Sequence, residues 1–194
     1  WCLQGIRDSF MKKKLWDVVF AGKNYYDHFA LRLDPKILKE DDRYKYIKHF
    51  SEIFIMGPET LGEIYWNKRS NTKICFNDID HLIPVYSAFN GIGIYKKEIF
   101  KKYKYDSVIT EDVKKINREI INHPKFEEYK EIICDNCFVF PRGGYKDNIT
   151  NIFWKSNSGY DKPIVCEHVC LNASLVVNNY RLMINPKMHY NHYE

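Results

Sequence analysis

Apolar and polar positions follow two different periods along this chain, and the period switches repeatedly. Leu15 to Ala21 is β-branched and aromatic enough for a strand, and Gly22-Lys23-Asn24 supplies turn chemistry behind it. From Asp41 to Phe54 the residues Tyr44, Ile47, Phe50, Ile53 and Phe54 recur at helical intervals, which predicts an amphipathic helix ended by Met56-Gly57-Pro58. Thr72 to Phe76 reads as a short strand, Val85 to Tyr95 as a longer one, and Lys97 to Tyr103 as the helix that follows. Thr110 caps a further helix, with Glu111 and Asp112 in its first turn and Val113, Ile116, Ile120 and Ile121 inward, stopping before His123-Pro124. Pro124 opens a short helix striped by Phe126, Tyr129, Ile132 and Ile133. Cys137 to Phe140 and Asn151 to Trp154 read as strands. Val169, Leu171, Leu175 and Val176 predict a helix starting near Cys166, and Arg181 to Ile184 is the last strand. Alternating strands and helices predict one α/β layered domain over residues 1–194.

Composition permits that domain. With 194 residues, 45% of them apolar and 16% aromatic, the chain can bury a core of its own. No apolar run approaches the roughly 18 residues of a membrane span, and Trp1-Cys2-Leu3-Gln4 does not resemble a signal peptide, so a soluble, cytoplasmic protein is expected. The absence of an initiator Met leads us to expect further elements upstream of Trp1. The net charge of +5 comes from 30 basic and 25 acidic residues spread along the chain. Its clearest basic runs are Lys12-Lys13-Lys14 and the segment from Lys96 to Lys104. Read along the chain, these are solvated helix faces rather than the dense basic stripe with exposed aromatics that nucleic acid needs, and no nucleic-acid partner is expected.

Candidate chemistry concentrates in two stretches. Ser87 to Lys96 carries Gly91 and Gly93 inside a strand-like alternation, and glycine in a strand signals close approach to the backbone. Val165 to Asn172 holds a tight carboxylate, imidazole and thiol cluster, with Glu167 and His168 at or near a helix N-terminus where the dipole favours a carboxylate. We expect the two stretches to form walls of one site; a capping Glu and a solvated His are the plainer alternative. Asp27 and Arg32 sit where a strand end would present them, either to sugar hydroxyls and a phosphate or to each other as a salt bridge. Asp78 and Asp80, one residue apart, would suit a cation bridging phosphates or simply a solvated turn. The six cysteines allow buried thiols, disulfides or zinc; the last reading is a zinc-stabilised binding module using Cys134, Cys137, Cys166 and Cys170.

The ordered set Trp16-Asp17-Val18-Val19, Tyr25-Tyr26-Asp27 with Ala30-Leu31-Arg32, Ser87-Ala88-Phe89-Asn90-Gly91 with Tyr95-Lys96, Glu167-His168, and Asn185-Pro186 with Met188 resembles a known family. It is similar to the acceptor-side half of GT-A type nucleotide-sugar glycosyltransferases, in particular the fungal capsule-associated mannosyltransferase-like family and its relatives in large DNA viruses. The resemblance implies a Rossmann-like GT-A sheet whose donor half, with an Asp-x-Asp motif for Mn or Mg, would lie upstream of Trp16. It implies a nucleotide-diphosphate sugar as donor and a glycan or protein as acceptor, with the Golgi lumen as the compartment of a fungal-type member. Carried over by position, Asn90 and Gly91 would line the donor sugar or acceptor, Glu167 would be the base that deprotonates the acceptor hydroxyl, and His189 would reach the cation or diphosphate. The family's Cys-x-Ser-Glu-Cys segment corresponds here to Cys134-Asp135-Asn136-Cys137, with Asn in place of the Glu.

Overall fold

Strand β1 (Val18–Ala21) is buried at every position, because it lies inside a sheet that is covered on both faces. The computed structural model describes residues 2–22, 30–38, 76, 79–106, 110–121, 144–146, 153–155 and 166–189. In chain order its elements are α1 (Leu3–Met11), β1, β2 (Arg32–Leu33), β3 (Ile83–Ser87), β4 (Gly93–Tyr95), α2 (Glu111–Ile121), β5 (Gly144–Lys146), β6 (Phe153–Lys155), α3 (Glu167–Val177) and β7 (Leu182–Asn185). One-turn 3-10 helices stand at Pro35–Leu38 and Ile99–Lys101. The main sheet has five strands in the order β2-β3-β7-β1-β4, and β5 pairs with β6. This is a mixed α/β arrangement.

The centre of the sheet is the parallel pair β1 and β7, in register from Val18 opposite Leu182 to Ala21 opposite Asn185. β4 and β3 flank it antiparallel. Side chains alternate across such a pair, so one face carries Val18, Phe20, Leu182 and Ile184, and packs with Ile83, Val85 and the apolar faces of α2 and α3. The other face carries Val19 and Ala21, which cluster with Trp16, Leu82, Met188 and Ile6 of α1. Apolar residues on both faces explain why the β1 and β7 stretches read as near-continuous hydrophobic runs.

Several predicted elements stand as read. Thr110 Oγ1 accepts from the backbone N–H of Val113 at 3.3 Å, and Val113 and Ile116 are fully buried. α3 and β7 lie where periodicity puts them. Two differ. The single strand predicted over 85–95 is two strands, β3 and β4, separated by a turn in which Gly91 takes φ 79°, a left-handed conformation that ends a strand. The helix predicted over 97–103 contracts to the 3-10 turn at Ile99–Lys101. The expected helices over 41–54 and 124–133 and the expected strand over 137–140 lie outside the described residues.

One helix has no signal in the sequence reading. α1 turns inward Gly5 and Ser9, not an apolar stripe. A Cβ on Gly5 would lie 2.0 Å from the Lys187 carbonyl oxygen, so helix and loop meet backbone to backbone. Buried Asn185 closes the contact: its Nδ2 lies 2.8 Å from Ser9 Oγ, 3.0 Å from Asp8 Oδ2 and 3.2 Å from Gly5 O, while its Oδ1 accepts from Lys187 N at 3.0 Å.

Candidate functional site

α3 packs against β3 and α2, and its Asn172 reaches Ser87 and Ala88 at the carboxyl end of β3. Ile92, at the end of the turn after β3, accepts from Ala21 N at 3.1 Å at the carboxyl end of β1. The Asn90-Gly91 turn and the Glu167-His168 helix start meet where Phe89 touches His168.

The two stretches expected to face one another do so. The His168 imidazole stacks on the Phe89 ring with centroids 3.9 Å apart and planes 12° off parallel, and Tyr105 closes on it edge-on at 5.3 Å. One helical turn further, Asn172 Nδ2 donates to Ser87 Oγ at 3.0 Å and to Ala88 O at 3.2 Å. His168 and Asn172 are four apart on one helix and so share a face, which is why a single side of α3 can hold the whole Ser87 to Asn90 segment. Asn90 is buried and Gly91 is exposed on the turn.

Glu167 remains at the rim. Its side chain is 56% exposed, and its Oε1 lies 3.7 Å from His168 Nε2. As the acidic residue in the first turn of α3 it faces the positive end of the helix dipole. An exposed carboxylate in the first turn of a helix can take a proton from a hydroxyl placed against it.

Arg32 is fully buried in β2, opposite Ser87 of β3, and donates from Nη1 to Leu31 O at 2.8 Å. His189 follows β7 beside the start of α1, where its Nδ1 lies 3.3 Å from Lys187 O and its own carbonyl accepts from Cys2 N at 3.2 Å. Asp27, Asp78, Cys134 and Cys137 lie outside the described residues. Asp80 is exposed, with His81 Nδ1 3.6 Å away. Cys166 stands half-buried just before α3, and Cys170 is buried within it. Among the described residues no group of three or more His, Cys, Asp or Glu side chains gathers in a way that would hold a metal ion.

Away from that site, a cleft of about 300 Å³ has no signal in the sequence. Tyr86 donates to Glu119 Oε2 at 2.7 Å across it, and Asp34, Lys36 and Lys115 stand around them. Desolvation, then the hydrogen bond to Glu119, push the Tyr86 hydroxyl above its ordinary value. Burial likewise raises the Asp34 carboxyl against the opposing hydrogen bond from the Lys36 backbone. Tyr86 is an inward residue of β3 and Glu119 lies late in α2; their distance in the chain hid the pair.

No family model, no curated protein and no solved structure matches this chain.

Proposed function

We propose that the chain is the acceptor-side portion of a GT-A type nucleotide-sugar glycosyltransferase, with a Rossmann-like sheet, that moves a sugar from a nucleotide-diphosphate donor to a glycan or protein acceptor. The observation that carries this reading is the meeting of the Phe89-Asn90-Gly91 turn with Glu167-His168 through the Phe89–His168 stack. The motif set that resembles the family supplies the chemistry, and this juxtaposition joins two of its parts that lie far apart in sequence.

On this reading Glu167 accepts the proton of the acceptor hydroxyl. The oxygen so activated bonds to the anomeric carbon of the donor as that carbon's bond to the nucleotide diphosphate breaks, and the diphosphate carries the electron pair away. His168, clamped by Phe89 and Tyr105, lies beside Glu167 and holds that side of the site. Asn90 and Gly91 form the floor against which the sugar lies. A bound Mn or Mg ion would neutralise charge on the leaving diphosphate. Among the described residues no ligand set for such an ion gathers.

The test is nucleotide release and product formation by the full-length protein over a panel of nucleotide-diphosphate sugars, with Mn or Mg present or chelated. Transfer is expected with at least one donor. Glu167→Gln should lower kcat by about 100- to 10,000-fold, the range of a lost general base, while the folded state is retained. Undiminished transfer by that variant removes Glu167 from the role of base.

A further inference from the structure

Read along the chain alone, the two basic runs predict no nucleic-acid partner; folded, they border one surface. A groove of about 640 Å³ is lined by Phe10, Lys13, Lys14, Trp16, Tyr95 and Lys96, with Arg181 and Ile94 at its margin. Its floor is fixed: Trp16 Nε1 donates to Ser9 O at 2.8 Å, and Phe10 meets the indole edge-on at 6.4 Å. From Tyr95 a row of rings continues out of the groove, to Phe100 at 5.0 Å and then to Tyr105 at 6.4 Å. Three of these rings stay half in water, Phe10 at 51%, Phe100 at 50% and Tyr105 at 45%.

The cations are arranged along the same row. Lys13 and Lys14 are exposed at one side of the groove, and Lys97, Lys101, Lys102 and Lys104 are exposed on the segment that carries Phe100 and Tyr105. Asp17 lies beneath, holding both Lys96 at 2.6 Å and Arg181 at 3.2 Å, so it offsets only one of those two charges. The groove lining contains no carboxylate and no carboxamide.

From this we infer that the face formed by the groove and the Lys96 to Tyr105 segment binds single-stranded nucleic acid. Exposed lysines spaced along a track meet successive phosphates, and half-exposed rings between them offer platforms for unpaired bases. A duplex hides its base faces and would leave those rings without a partner. A neutral glycan would need the hydrogen-bonding carboxylates and amides that the groove lacks. The inference shares Tyr105 with the candidate site but uses neither Glu167 nor a sugar donor, and its tests at Lys13, Lys14 and Phe100 do not touch that site.

The experiment is a fluorescence-anisotropy titration of a labelled oligouridylate of about 20 nucleotides, repeated over roughly 50 to 300 mM KCl. Binding is expected to weaken with salt, with a log-log slope of about 0.7 for each phosphate neutralised. Lys13→Gln combined with Lys14→Gln should lower that slope by about 1.4, two such contacts being lost. Phe100→Ala should weaken binding by about 5- to 150-fold with the slope unchanged, and Phe100→Tyr should restore it, because the ring and not its bulk carries the stacking. These residues are exposed, and each variant is expected to melt at the parent's temperature, which a melting curve checks. Absence of binding at the lowest salt overturns the inference. So does binding that Phe100→Ala leaves unchanged and that heparin competes away as readily as RNA, or retention on anionic phosphatidylserine vesicles but not on the oligonucleotide.

Discussion

Asn172 of α3 donates from Nδ2 to the Ala88 carbonyl oxygen at 3.2 Å, which ties the helix that presents Glu167 to the turn that presents Asn90 and Gly91. The side chain is fully buried, and its Oδ1 has no hydrogen-bond partner. A buried acceptor left unsatisfied costs about 1 to 3 kcal/mol, so this residue is held in place by its two donor contacts against a standing penalty. The site is assembled around that one amide.

Asn172→Ala removes both donors and leaves the Ala88 carbonyl and the Ser87 hydroxyl facing a small void. A loss of about 2 kcal/mol in unfolding free energy is expected from urea midpoints, the orphaned groups outweighing relief of the unpaired Oδ1. Amide exchange at Asn90 and Gly91 should quicken more than exchange in β1. Equal protection in the variant would show that the turn is held by other contacts.

Gly5→Ala separates helix propensity from packing. In an exposed helix the change is stabilising by about 1 kcal/mol. Here the added carbon would stand 2.0 Å from Lys187 O and 2.5 Å from Met188 Cα, both backbone atoms that cannot rotate aside. A net loss of about 2 to 3 kcal/mol is expected, read as a lower urea midpoint, because α1 must lift from the turn and pull Ser9 from Asn185. A stabilised variant would mean that α1 is not seated on that turn.

The same contact shows why part of the fold was illegible in the sequence. α2 and α3 announce themselves through a capping Thr110, acidic first turns and apolar positions at helical spacing, and β1 and β7 through β-branched runs buried on both faces. α1 buries Gly5 and Ser9 and leaves Leu3, Phe10 and Met11 exposed, so its hydrophobic pattern points the wrong way. The turn at Asn90-Gly91 was read as strand interior because Phe89, Ile92 and Ile94 keep the alternation going on either side. The pairing of the 87–96 stretch with Glu167-His168 was legible from chemistry. The stack of Phe89, His168 and Tyr105 was not, since three rings from three segments leave no periodic trace.

Asp17 gives the fold an acid-sensitive tie. Burial raises its carboxyl, but hydrogen bonds from the Arg181 and Lys96 side chains and the Arg181 backbone outweigh it and hold the pKa at about 2, against 3.8. A carboxylate depressed in the folded state stabilises it above the unfolded pKa, and that stabilisation is lost as pH falls from near 4 toward 2. Because the Arg181 side chain is 47% exposed, solvent screening reduces the contribution to about 1 kcal/mol. Asp17→Asn should therefore flatten the stability profile between about pH 4 and 2 in urea titrations. A profile as steep as the parent's would place the acid sensitivity on other carboxylates.

Gly91 separates a conformational role from a binding one. Its φ of 79° is reached freely by glycine, with strain by alanine and at moderate cost by asparagine, which populates the left-handed region more than other residues. Gly91→Ala should cost about 1 kcal/mol of stability, and Gly91→Asn should recover much of it. If the turn only needs its backbone shape, sugar transfer should follow stability, with the Asn variant close to the parent. The reading of Gly91 as the floor of a sugar pocket predicts the opposite. The Asn variant folds well yet shows a raised KM, because any side chain occupies the space the ligand needs. The comparison of urea midpoints with KM across the two variants decides it, and a KM that tracks stability alone would leave Gly91 as a turn residue without contact to the ligand.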